Sequence, residues 1–138
     1  MTRFRHILVP VDGSPSSDKA LDEAIRLAIF SAAKISLLHV LDDLSDVRAA
    51  GENLLAKQGE KVLARGLQVE CVLIAEGPGR ICEHVAEHAR ISQADLIVVG
   101  SHGRRGVGRV LLGSDAEQII RYAAVPVLVV RAKDALET

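Results

Sequence analysis

Asp95-Leu96-Ile97-Val98-Val99 runs without a polar break into Gly100-Ser101-His102-Gly103-Arg104-Arg105-Gly106-Val107-Gly108-Arg109, and Gly113-Ser114 then opens a stretch of helical spacing. A continuous β-branched run of this kind reads as a strand covered on both faces. The glycine-rich turn and the helix start behind it make one half of a strand–loop–helix unit. Working outward, four more aliphatic runs punctuate the chain: His6–Val11, Lys34–Leu41, Leu67–Ile74 and Pro126–Val130. The first and last of these are also continuous, so they too are expected to be covered on both faces.

Between the runs the apolar residues fall at helical spacing. Ala20, Leu21, Ala24, Ile25, Leu27 and Ala28 form one face of a first helix, and Ser14-Pro15 in front supplies a cap followed by proline at the first helical position. A second helix is expected from about Ser45 to Ala64, with Val47, Leu54, Leu55, Val62 and Leu63 inward and Gly66 ending it. Gly77-Pro78-Gly79 opens a third, carrying Ile81, Val85, Ala86 and Ala89; a fourth begins near Ser114 with Ala116, Ile119 and Ile120. The order β-α-β-α-β-α-β-α-β argues for an open α/β fold with a parallel sheet and helices on both faces. A chain of 138 residues without linker, repeat or low-complexity stretch reads as one domain, 1–138.

Composition narrows the function. The net charge is −1, with 17 Lys and Arg against 18 Asp and Glu, so no global field favours nucleic acid or an anionic membrane. Phe4, Phe30 and Tyr122 are the whole aromatic complement, which leaves no platform for stacking single-stranded bases. No apolar run has the length of a membrane span, and the apolar stretch after the basic Met1–His6 start is broken by Pro10, too soon for a signal-peptide core. Cys71 and Cys82 lack Cys-x-x-Cys spacing and read as two isolated buried thiols in a reducing cytoplasm.

In an open parallel sheet, ligands bind beyond the carboxyl ends of the strands where the strand order reverses. Asp12-Gly13-Ser14 and the Gly100–Arg109 loop stand at such ends. Glycines let backbone amides approach an anion and form a nest around it. A helix start adds unpaired N–H groups, and Arg104, Arg105 and Arg109 offer charge-assisted hydrogen bonds to phosphate. Two readings stand beside each other: a phosphate cradle, and a mobile loop with solvated arginines. The Walker pattern is absent, no lysine lies in the loop, and G-x-G-x-x-G fails as well.

Gly100-x2-Gly103-x9-Gly113-Ser114 matches the G-2x-G-9x-G-(S/T) signature of the ATP-binding universal stress proteins, and Ile7–Ser14, Ala94–Gly103 and Val125–Val130 are similar to that family's first and last two strands. The resemblance spans the chain. It implies an adenine-nucleotide α-hydrolase-like fold with strand order 3-2-1-4-5. Adenine would lie near Pro10, Val11, Asp12 and Val40, and ribose and phosphates on Gly100, Gly103, Arg104, Gly106, Gly113 and Ser114. Ser114 also has a purely local reading as a helix N-cap. Where ATP-binding members often carry a small apolar residue, this chain has Asp115, and Ala116 follows in place of a hydroxyl. A carboxylate there suits the helix dipole but repels a triphosphate unless Mg²⁺ lies between them, which leaves ATP, ADP and AMP all open.

Other constellations carry less. His84-Val85-Ala86-Glu87-His88 spells H-x-x-E-H, but Ile81, Cys82, Val85, Ala86 and Ala89 define the buried face and turn both histidines outward, with no third ligand in sight. His6, His39 and His102 have no acid or nucleophile partner readable from spacing; His102 alone sits in the loop. The segment Asp12–Ser17 only loosely resembles the pyrophosphate loop of related nucleotide hydrolases. Catalysis needs a base and a nucleophile beside charge stabilisation, and the loop supplies only the last.

The expected function is therefore a cytoplasmic nucleotide-binding regulator of the stress response, with no catalytic residues assigned. A non-nucleotide scaffold and a slow ATP hydrolase or autophosphorylating protein are the alternatives. Under the implied order Pro126–Val130 is an edge strand, which in the family pairs across a two-fold axis, so a homodimer is expected. The alternative is that Ala132–Thr138 covers that edge within one chain.

Overall fold

The computed structural model describes residues 4–41, 48–75, 79–102 and 112–131. Nine elements alternate along the chain: β1 (His6–Pro10), α1 (Pro15–Ser31), β2 (Lys34–Val40), α2 (Arg48–Leu63), β3 (Val69–Ile74), α3 (Ile81–Ser92), β4 (Leu96–Gly100), α4 (Ser114–Tyr122) and β5 (Val127–Val130). The strands form one parallel sheet of order β3-β2-β1-β4-β5. Strand order therefore reverses between β1 and β4, where Ile7 sits beside Leu96 and Leu8 beside Ile97.

Side-chain alternation divides the continuous apolar runs between two cores. Ile7, Val9, Ile35, Leu37, Leu96 and Val98 meet the inner faces of α1 and α2, through Leu21, Ala24, Ile25, Leu55 and Val62. Leu8, Leu38, Ile97 and Val99 point the other way, to Cys82, Val85 and Ala89 of α3 and to Ala116 and Ile119 of α4. Each helix runs back antiparallel to the strands, which sets helix N-termini at the carboxyl end of the sheet. Ser14 caps α1 as expected, its hydroxyl accepting from Ser17 N at 3.1 Å, with Pro15 opening the helix.

Several local expectations need correction. Leu63 is 59% exposed. The buried line of α2 is Gly51, Leu55, Gly59 and Val62, and the next residue is turned about 100° away from it. Leu54 is half-buried, while Ser45 to Val47 lie outside the described residues. Cys82 is buried but Cys71 is exposed, on β3, which among the described residues pairs with β2 alone. Partial burial and the neighbouring Glu70 carboxylate push the Cys71 thiol upward. β5 is likewise half-covered rather than enclosed, with Leu128 37% exposed.

Candidate functional site

The carboxyl ends of β1, β2 and β4 and the starts of α3 and α4 enclose a cleft of about 330 Å³. This volume is at the lower end of the roughly 300–1,000 Å³ typical of small-molecule sites. Pro10, Val11 and Asp12 form its wall from β1, and Leu38, His39 and Val40 its wall from β2. Val99, Gly100 and His102 contribute from β4, Ile81 from α3, and Gly113, Ser114, Asp115, Ala116 and Ile119 from the start of α4. Of the residues expected at the site, Pro10, Val11, Asp12, Val40, Gly100, Gly113, Ser114 and Asp115 converge here. Gly103, Arg104 and Gly106 lie outside the described residues.

The floor is built by close backbone approach. A Cβ on Gly100 would stand 2.6 Å from the carbonyl carbon of Ser16, so only glycine lets the first turn of α1 lie against the end of β4. Hydroxyls bind this seam. Ser16 Oγ is 3.3 Å from Ser101 Oγ and accepts from His102 N at 3.3 Å, and Ser14 Oγ donates to His102 O at 3.5 Å. Ser101 Oγ also lies 3.2 Å from His102 Nδ1. On the far side of the loop, Gly113 N donates to Ser101 O, which brings the two ends of the glycine-rich stretch together.

Asp12 Oδ1 accepts from Ser14 N at 2.9 Å, which turns the chain from β1 into α1. The peptide between Val11 and Asp12 is held at both of its polar atoms. His39 Nδ1 lies 2.8 Å from Val11 O, and Asp12 N donates to Ser17 Oγ at 3.2 Å. Because a carbonyl only accepts, His39 carries its proton on Nδ1. Ser17 and His39 are both buried cleft residues that spacing did not single out as partners. His39 was readable in one respect: it precedes Val40 at the end of β2.

Helix α4 is capped by Gly113 in extended conformation, with no side-chain cap bond, and Ser114 is the first helical residue. The purely local reading of Ser114 as N-cap is thus not what the structure shows. Its position instead presents the helix start to the cleft, with Asp115 in the first turn. The strand-end wall is therefore largely apolar with the Asp12 carboxylate in it, and the opposite end carries the α4 start with Asp115. Arg80, just before Ile81, stacks over Tyr122 at 5.2 Å and donates to its hydroxyl at 2.7 Å, tying α3 to α4 beside the cleft.

Among the described residues no three His, Cys, Asp or Glu side chains are placed to hold a metal ion. His84 and His88 are half-buried rather than outward-facing, and His88 Nε2 lies buried without a hydrogen-bond partner. They stand on α3 away from the cleft lining. Among those residues, too, no helix is long and apolar enough to cross a membrane.

Comparison with known proteins gives this architecture its relatives. The model of the universal stress protein family matches residues 3–131. The chain belongs to the universal stress protein family. Universal stress protein YxiE of Bacillus subtilis is 31% identical over 93% of this chain and 99% of its own length. Among solved structures, that of hypothetical protein MJ0577 superposes with a TM-score of 0.86 at 25% identity, covering 97% of this chain and all of that one. A universal stress protein solved in complex with cAMP superposes at 0.76 with 27% identity, covering 96% of this chain and 100% of the other. Family membership accounts for the strand order, and of the glycines that carried the resemblance, Gly100 lines the cleft from β4 and Gly113 from the start of α4.

Proposed function

We propose that this universal stress protein binds an adenine nucleotide in the cleft at the β1/β4 switch point. The observation that carries the reading is the cleft itself: apolar strand ends on one side, the start of α4 on the other, at the place where open α/β sheets take ligands. The structural relative with bound cAMP supports the chemical class.

The base is assigned to Pro10, Val11, Asp12 and Val40, which offer apolar contact and a hydrogen-bonding carboxylate. Ribose and phosphates are assigned to Gly100, Gly113 and Ser114, together with Gly103, Arg104 and Gly106 outside the described residues. ATP is the first candidate, with ADP and AMP as competitors. Mg²⁺ fits the donor set: it is characteristically held by one or two carboxylates and the phosphates of its ligand, and Asp115 is the carboxylate at the α4 start. Bound metal would neutralise phosphate charge against that carboxylate.

The protein is read as a cytoplasmic stress-response regulator that acts by binding rather than turnover, and as a homodimer joined through the β5 edge. Calorimetric titration with the three nucleotides tests the binding claim. Saturable binding is expected, and an absence of heat with all of them, in nucleotide-free protein, contradicts it.

A further inference from the structure

The geometry points to His39 and Ser17 as positioning residues for this cleft, which clamp the Val11–Asp12 peptide and so aim the Asp12 carboxylate; the inference rests on the proposed nucleotide reading. A single peptide unit carries both interactions. Its carbonyl oxygen receives the Nδ1 proton of His39 at 2.8 Å, and its N–H donates to Ser17 Oγ at 3.2 Å. Neither partner is a surface group: His39 is 4% and Ser17 5% exposed. They come from opposite directions, His39 from β2 and Ser17 from the first turn of α1.

The strand ladder ends one residue earlier. Val11 N still donates to Leu38 O at 2.8 Å, continuing the β1–β2 pairing, and Asp12 begins the turn. Without the clamp the Val11–Asp12 peptide would be the first free to rotate. Rotation there would swing the Asp12 side chain, which lines the cleft and whose Oδ1 also starts the turn into α1. The imidazole itself is held from behind by α2: a Cβ on Gly51 would come within 3.1 Å of His39 Cδ2. Glycine at that helix position lets α2 pack directly over the ring. The clamp therefore spans β1, β2, α1 and α2, and a fixed carboxylate spares the ligand the cost of ordering it.

The test uses the full chain and two readouts. His39→Asn places an amide N–H near the position of Nδ1 and keeps the donor, whereas His39→Leu fills similar space without one. In amide hydrogen exchange without ligand, the Asp12 N–H is expected to exchange faster in His39→Leu and in Ser17→Ala than in wild type, and at a near wild-type rate in His39→Asn. For AMP titrated by calorimetry, His39→Leu is expected to weaken binding about tenfold, the loss that goes with one hydrogen bond. Recovery in His39→Asn and a smaller effect of His39→Leu in an Asp12→Ala background would mark a role exercised through Asp12, since an unrelated structural loss adds independently. If wild type binds AMP and His39→Leu matches it, the positioning role is overturned while the nucleotide reading stands. If wild type binds none of AMP, ADP and ATP, the nucleotide reading fails and the positioning role falls with it; where it takes ATP or ADP in place of AMP, the same variants are read with that nucleotide.

Discussion

Gly100 shows how one residue can carry two explanations. In sequence it is the first glycine of a nucleotide-binding signature; in the fold it is the point where the Ser16 backbone comes too near for any Cβ. The packing demand alone makes Gly100→Ala costly. The α1–β4 seam must open to admit a methyl group, and overpacking of this kind costs about 1–3 kcal/mol. Urea unfolding should show that loss in the absence of any ligand; a midpoint equal to wild type would mean that the glycine is needed for ligand approach alone. Ser114 teaches the reverse lesson. Its type suggested a cap, but Gly113 caps α4, and the serine stands one residue into the helix, in the cleft lining.

At the scale of elements, a polar chain that is buried at His6 and Ser36 and reaches the surface at Glu70 crosses β1, β2 and β3 at the end of the sheet away from the cleft. His6 Nδ1 donates to Ser92 O at 3.0 Å, and Nε2 lies 2.6 Å from Ser36 Oγ, which in turn is 3.3 Å from Glu70 Oε1. Burial holds the imidazole below its usual 6.5, with Lys34 acting in the same direction, while the Ser92 carbonyl and the Glu70 and Asp95 carboxylates oppose it. The folded state therefore prefers neutral His6. Between its lowered folded value and 6.5 the unfolded chain binds more protons, so this contribution to stability is present above pH 6.5 and is lost as pH falls below it. Denaturation midpoints at pH 7.5 and 5.5 should differ more in wild type than in His6→Asn, which keeps a donor for Ser92. Equal pH dependence in the two proteins would show that His6 does not set it.

How much of these elements was legible follows from the same physics. The continuous runs and the Ser14-Pro15 start determined β1, β4 and α1, because burial on both faces and a proline-led cap leave direct marks in residue type. The ends of α1 and α3 left no such mark: both close on left-handed residues, Ala32 and Gln93, where glycine would have been the expected sign. The His6–Ser36–Glu70 chain and the His39 clamp were invisible because strand register, set by tertiary packing, joins residues tens of positions apart. The cleft was legible as a place, from the switch-point rule and the glycine spacing, but the roles of Ser17 and His39 emerge only once the fold brings them to the Val11–Asp12 peptide.

For the whole molecule, the two sheet edges differ in what they offer. β5 is short and apolar, and its open side is set by strand alternation. Pro126 O accepts from Ile97 N of β4 and Val130 O from Ser101 N just beyond it, so Val127 and Val129 turn their backbone groups away from β4. A homodimer through this edge would use those groups as its ladder. Val129→Pro removes an outward donor while leaving the β4 ladder in place, and proline is tolerated at edges. Light scattering should then report a monomer for Val129→Pro and a dimer for wild type. A dimeric variant, or a monomeric wild type, would place the edge outside the assembly.

The central claim is that the cleft between the strand ends and the start of α4 takes an adenine nucleotide. Calorimetric titration of nucleotide-free protein with ATP, ADP and AMP, each with and without Mg²⁺, tests it most directly, beside Gly113→Ala and Asp115→Asn. Gly113 has φ −69°, which alanine adopts without backbone strain, and a urea midpoint measured beside the titration separates a folding loss at this helix cap from a loss at the cleft. The account predicts saturable one-site binding to wild type that Gly113→Ala weakens. For ATP, it also predicts a Mg²⁺ dependence that Asp115→Asn reduces. No binding of any nucleotide by wild type, or binding unaffected by Gly113→Ala, would contradict it.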